Sequence, residues 1–162
     1  EIPPARLLEQ IARYRAGTPD KEVAAALRIL LEQYPEDPIL PYAESRLLAA
    51  ARDPGVRQPQ RALELASRLV LLHPIPPHQR ALALAHGATG NFEQAIQTQS
   101  QTVTMTAWMA SSPEQEVMHE ELSAYEKGEL PTEPWPEGDL LLSPPPFDPV
   151  APFRDYPAAV PY

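Results

Sequence analysis

The chain has 162 residues, with 13 basic against 22 acidic side chains, a net charge of −9 and no cysteine. Without cysteine, disulfides, thiolate zinc sites, iron–sulfur clusters and covalent haem attachment all fall away. No stretch gathers Lys and Arg into the basic stripe that phosphate recognition needs, so nucleic acid is not an expected partner, and no apolar run approaches the roughly 20 residues that span a bilayer.

Between Pro4 and Gly17 the apolar residues Leu7, Leu8, Ile11 and Tyr14 recur at three- and four-residue steps, which places them on one stripe of a helix. Thr18-Pro19-Asp20 supplies a turn and an N-cap, after which Val23, Leu27, Leu30 and Leu31 form a second stripe ending at Tyr34-Pro35. A third helix is expected from Ile39 to Ala51, inward at Leu40, Ala43, Leu47, Leu48 and Ala51, with a stop at Asp53-Pro54-Gly55. A fourth runs from Pro59 to His73 with Leu63, Ala66, Leu69 and Val70 inward. Beyond Pro74, Pro76 and Pro77, the fifth uses Leu82, Leu84, Ala85 and Ala88 and breaks at Gly90-Asn91. The sixth runs from Phe92 through Ala95, Ile96 and Val103, and the seventh from Pro113 to about Lys127, with Val117, Leu122 and Tyr125 inward and Gly128 as its stop.

Val23 to Pro35, Ala62 to Pro74 and Ala95 to Ala107 each span one helix of this set, separated by 39 and 33 residues. Periods in this range mean stacked helical hairpins, each unable to bury its apolar face without a neighbour.

The segment from Ala83 to Ile96, with small residues late in one helix, Gly90-Asn91 at the turn, Phe92 next and Ala95 early in the second helix, resembles the centre of a tetratricopeptide repeat. Ala62 to Pro74 resembles the second helix of a preceding repeat, and Glu22 to Pro35 that of the first, so the resemblance covers roughly residues 20–107. It implies an all-α, right-handed superhelical stack of about seven helices, in which Gly90 takes the tight turn and Ala95 marks a close helix crossing. The chain departs from the pattern in three places: no tryptophan in any first helix, Thr102 where a small apolar residue is expected, and a longer turn from Arg52 to Gln58. The ending Tyr125-Glu126-Lys127-Gly128 is similar to the last helix of bacterial members of the family.

Little in the side chains asks for catalysis. His73, His78, His86 and His119 lack the i,i+4 spacing of a helical metal site. His73 is expected at a helix C-terminus, where the dipole favours a cation, and His119-Glu120-Glu121 is expected to face solvent. The acids read as a solvated face rather than paired catalytic carboxylates. Neither a phosphate-binding glycine loop nor a serine nucleophile elbow occurs. No metal and no cofactor is therefore expected. The polar, β-branched run from Gln97 to Thr106 is read either as a weak helix stabilised by packing or as a surface facing a partner, with Trp108 and Met109 as contact residues.

Residues 1–128 are taken as the helical body and 129–162 as an extended tail, because 10 of the 22 prolines fall in the latter. Six acids face the single base Arg154 there, yet the tail also carries Trp135, Leu141, Phe147, Phe153, Tyr156 and Tyr162, more apolar anchors than a solvating linker needs. In polyproline geometry it would reach roughly 100 Å, past a body about 35–40 Å across. It is therefore expected to fold back on its own repeats or to dock on another chain.

The whole is read as a non-catalytic protein–protein interaction scaffold for an extended peptide or neighbouring copies of itself. The alternative is a secreted structural subunit that assembles into a homo-oligomer or filament by tail exchange. The start at Glu1 rather than methionine gives the expectation of an exported chain, periplasmic or extracellular.

Overall fold

The computed structural model describes residues 3–108 and 112–136, and within them the chain is all-α: seven helices and no strand. In order these are α1 (Pro3–Arg15), α2 (Asp20–Gln33), α3 (Ile39–Ala50), α4 (Pro59–Leu72), α5 (Pro76–Ala88), α6 (Phe92–Thr106) and α7 (Ser112–Glu126). Each helix from α1 to α7 packs on the next along the chain, and α3 lies against α5 as well. This is the packing of stacked hairpins, with the odd-numbered helices sharing one side.

The stripes sit where three- and four-residue spacing puts them. Leu7, Ile11 and Tyr14 of α1, Val23, Leu27 and Leu30 of α2, and Ala62, Ala66 and Leu69 of α4 are buried, while Leu63 and Val70 are half-buried. The central helix α3 is buried on most sides, from Leu40 through Tyr42, Ala43, Ser45 and Arg46 to Ala50. Small residues allow this: alanines at 43, 49 and 50 let α4 and α5 approach together. At the repeat turn Gly90 adopts φ +81, and the Asn91 N–H closes back on the His86 carbonyl at 2.9 Å. The Asn91 side chain then caps α6 by accepting from Gln94 N. Ala95 is fully buried and Phe92 is half-buried beside it.

Two local readings change. Asp20 is the first residue of α2, not its cap; Pro19 holds the cap position with no side-chain hydrogen bond. The Asp20 carboxylate points instead to the α3–α4 loop, because that loop supplies three donors to it. Along α7 the inward residues are Met118, Glu121 and Tyr125, whereas Val117 and Leu122 are half-buried. The stripe is rotated toward α6 because that helix offers a polar surface, Gln99, Thr102 and Thr106, all buried. Thr102 and Thr106 donate to the carbonyls of Thr98 (2.9 Å) and Thr102 (2.8 Å), so their hydroxyls are satisfied within α6 and only methyl groups need packing. The run from Gln97 to Thr106 is thus a helix whose buried polar stripe packs on α7 of the same chain.

Candidate functional site

Chemistry concentrates where the chain returns across the odd-numbered helices after α7. Gly128 ends that helix with φ +71, a conformation other residues resist, and the Glu129 N–H bonds the Ala124 carbonyl at 2.8 Å. The strap that follows, residues 129–136, runs over α5 and α3 to α1. Leu130 and Tyr125 both press on Gly87. A Cβ there would lie 3.3 Å from Leu130 Cδ1 and 3.2 Å from Tyr125 Cε1, so any larger residue would have to push both back by a few tenths of an ångström.

Trp135 is the anchor. Its side chain is 0% exposed and touches both α1, at Tyr14, and α3, at Ala43. Its ring meets Tyr14 edge-on, with centroids 5.0 Å apart and planes at 72°. The indole Nε1–H donates to the Ala43 carbonyl at 3.2 Å. Arg15 donates to the Trp135 carbonyl at 3.0 Å, and Arg46 Nε donates to the Pro134 carbonyl. Prolines 131, 134 and 136 have no N–H, so this part of the strap is rich in acceptors, and arginine donors are the matching chemistry. The sequence reading put Trp135 in the tail; in three dimensions it belongs to the core cluster with Leu7, Tyr14 and Leu47.

Beneath the strap lies a buried charge centre. Arg80 of α5 grips Glu121 of α7 with two bonds, Nε to Oε2 at 3.0 Å and Nη2 to Oε1 at 2.9 Å. Arg46 of α3 adds a contact to Oε1 at 3.3 Å, and Gln99 Nε2 donates to Oε2 and to the Met118 carbonyl, both at 2.9 Å. Burial alone would raise the Glu121 carboxyl, but the charges of Arg80 and Arg46 and their hydrogen bonds outweigh it and hold the group below its ordinary value. Burial, reinforced by the Glu121 charge, pushes the Tyr125 phenol up. Glu121 is therefore a carboxylate with both oxygens engaged, a tie between three odd-numbered helices and α6. The expectation that His119-Glu120-Glu121 faces solvent holds for His119 and Glu120 and fails for Glu121, which shares a face with Tyr125 one turn later. That spacing was visible in the sequence; its partners Arg46 and Arg80, 75 and 41 residues away, were not.

A second tie lies beside the same C-terminal end of α1. Arg52 donates twice to Asp20 Oδ1, at 3.0 and 2.8 Å, and Asp53 N donates to Oδ2 at 2.9 Å. The Arg52 guanidinium lies 3.7 Å from the centroid of the Tyr14 ring. Burial, helped by the Asp20 charge and opposed by Arg52, pushes the Tyr14 phenol up to about 12.

On the opposite side of α3 an open cleft of about 870 Å³ separates α2 from α4. Leu31 and Arg28 form one wall, Leu65 and Arg68 the other, with Glu44 and Leu47 at the floor. Pro35 lines one edge; Pro74, beyond α4, is exposed. Burial raises the Glu44 carboxyl above its ordinary value, against the pull of Arg61 and Arg28.

Of the other anchors named from the sequence, Trp108 is 83% exposed at the end of α6, beside an exposed Met105. Met109, Leu141, Phe147, Phe153, Tyr156 and Tyr162 lie outside the described residues. His73 caps the C-terminus of α4, and the His78 ring packs near it, with Nδ1 2.7 Å from the His73 carbonyl. Burial lowers His86. Among the described residues no three metal-ligating side chains cluster, and no helix is long and apolar enough to cross a membrane. Comparison with protein-family models, with curated proteins and with solved structures gave no match.

Proposed function

We propose that the chain is a non-catalytic protein–protein interaction scaffold built from tetratricopeptide-like hairpins, whose odd-helix side receives an extended polypeptide, its own tail in the first instance. One observation carries this reading: residues 130–136 lie on that side, held by one buried indole and by arginine bonds to main-chain carbonyls. That is how extended segments are recognised, with the main chain giving affinity and a pocketed side chain giving specificity. A peptide library displayed against the full chain tests it. Enriched peptides should compete with one another and lose binding when surface arginines of the groove such as Arg15 are replaced. No enrichment on either the wild-type chain or a Trp135→Ala chain would refute the scaffold reading.

A second reading, an exported subunit that assembles with copies of itself, draws on Met105 and Trp108, two large apolar side chains left uncovered at the end of α6. Light scattering on the full chain and on Trp108→Ala separates the two. Self-assembly requires a mass above the monomer that the substitution reduces.

A further inference from the structure

We propose that the cleft between α2 and α4 is the seat of residues 140–147 of the same chain, which enter it at the end where those two helices begin. The strap, with Trp135 fixed in the core, leaves off at that end. Its last anchored carbonyl, that of Trp135, is held by Arg15 at the C-terminus of α1, and residues 137–162 continue from there, outside the described residues. Lys21, which lines the cleft from the first turn of α2, is one short turn of chain away from Arg15. Even fully extended, the chain between the two would span no more than about 20 Å. It is folded tighter than that, because Thr18 N closes on the Arg13 carbonyl at 2.9 Å and Arg52 holds both Thr18 and Asp20 against the α3–α4 loop. Residues 137–139 cover about 10 Å and residues 137–142 about 20 Å, so Leu140-Leu141-Leu142 is the part of the chain that arrives at the mouth. The path rounds the end of the stack, where the cleft opens between Lys21 and Gln58, and crosses no helix.

Length and chemistry match along the cleft as well. From Lys21 to Pro35 α2 rises about 20 Å beside it, the reach of roughly six to eight residues in extended or polyproline geometry. Residues 140–147 carry no charge and offer three leucines and Phe147 to walls that include Leu31, Leu65 and Leu72. Glu44, half-buried on the floor, takes no hydrogen bond from the described residues. Leu140 to Ser143 have the main-chain N–H groups that such a carboxylate accepts, and prolines 144–146 have none, so the leucine half is the one that lies over Glu44. Asp139 precedes the segment and meets Lys21 at the mouth; both are near solvent, so this pair sets direction more than affinity. A tethered segment acts at an effective concentration on the order of millimolar, so the same segment of a second copy brings identical contacts and loses to it.

The absence of cysteine makes the test direct, because one introduced thiol carries one label. A nitroxide is attached to Ala25→Cys, an exposed position on the cleft wall, in the full chain labelled with ¹⁵N. The amide resonances of Leu140 to Ser143 and of Phe147 should lose most of their intensity, and reducing the nitroxide should restore it. A nitroxide on Ser67→Cys, exposed on α4 but outside the cleft lining, should leave them nearly unchanged. Replacing Leu140, Leu141 and Leu142 together by serine should restore Phe147 in the Ala25→Cys chain. Both labels sit on exposed positions, so the fold is expected to tolerate them. Full intensity beside the Ala25 label would overturn the proposal, and so would equal losses from both labels, which would mean a tail with no fixed seat. Losses that appear when nitroxide-bearing chains are mixed with separate ¹⁵N-labelled chains would overturn it by making the occupant a second copy. None of these results touches Trp135 on the other side of the stack, so the scaffold reading is tested separately.

Discussion

Replacing Trp135 by alanine empties the space that joins α1 to α3. A tryptophan side chain hides on the order of 200 Å² from water, which at about 25 cal/mol per Å² corresponds to about 5 kcal/mol. Two effects reduce that figure. The unfolded chain already covers part of this area, and a strap without its anchor can let go, so residues 129–136 regain conformational freedom. The expected net loss is about 2–4 kcal/mol. For a helical body of this size one kcal/mol shifts the melting temperature by roughly 3 °C. Thermal unfolding followed by far-ultraviolet circular dichroism should therefore show a fall of roughly 6–12 °C. Trp108→Ala is the control, because an exposed side chain should change stability by no more than about 0.5 kcal/mol. If Trp135→Ala melts within about 1 °C of the wild type, or no lower than the control, the slot is not a stabilising contact and the reasoning fails.

Glu121→Ala removes the shared acceptor of two buried arginines and should cost about 3–5 kcal/mol in urea unfolding. The pH dependence has a definite sign. The folded carboxyl lies below its ordinary value of 4.5, so its stabilisation is complete above that value and is lost as pH falls through it toward the folded value. The alanine variant should show a flatter stability profile than wild type in that acid range, and parallel profiles would contradict the assignment. Gly87→Ala gains about 0.5–1 kcal/mol of helix propensity but forces a methyl group against Tyr125 and Leu130. A net loss of about 1 kcal/mol is expected, smaller in a Trp135→Ala background where Leu130 can retreat; equal losses in both backgrounds would separate Leu130 from the strap. Asp20→Ala should cost about 1–2 kcal/mol, most of it from the Asp53 N–H that loses its acceptor, since Arg52 is partly exposed and remains hydrated. An unchanged urea midpoint would show that this tie contributes nothing.

Helix positions were legible because they depend on local rules: apolar spacing of three and four, proline where a backbone N–H is dispensable, and glycine where φ turns positive. Hence α1 to α7 fall within a residue or two of where the pattern puts them, and the stripes of α1 and α2 face inward as read, while in α4 Ala66 and Leu69 do so and Ala62 takes the place of the half-buried Leu63 and Val70. Asp20 was misread because an acid at a helix start suits both a cap and a distant donor. Only the position of the α3–α4 loop selects the second. Glu121, Arg46 and Arg80 are polar letters on apolar stripes, each individually consistent with a solvated face until three helices meet.

The sequence by itself determined the helical class and the places of the helices and of the glycine and proline turns between them. Tertiary structure alone decided that Trp135 belongs to the core and that α1 reaches α3 through it. Periodicity fixes which face of a helix is apolar, but the charge of Glu121 is tolerated only where donors from Arg80 and Arg46, 41 and 75 residues away, converge on it, and the indole of Trp135 only where the Ala43 carbonyl, 92 residues away, accepts its N–H.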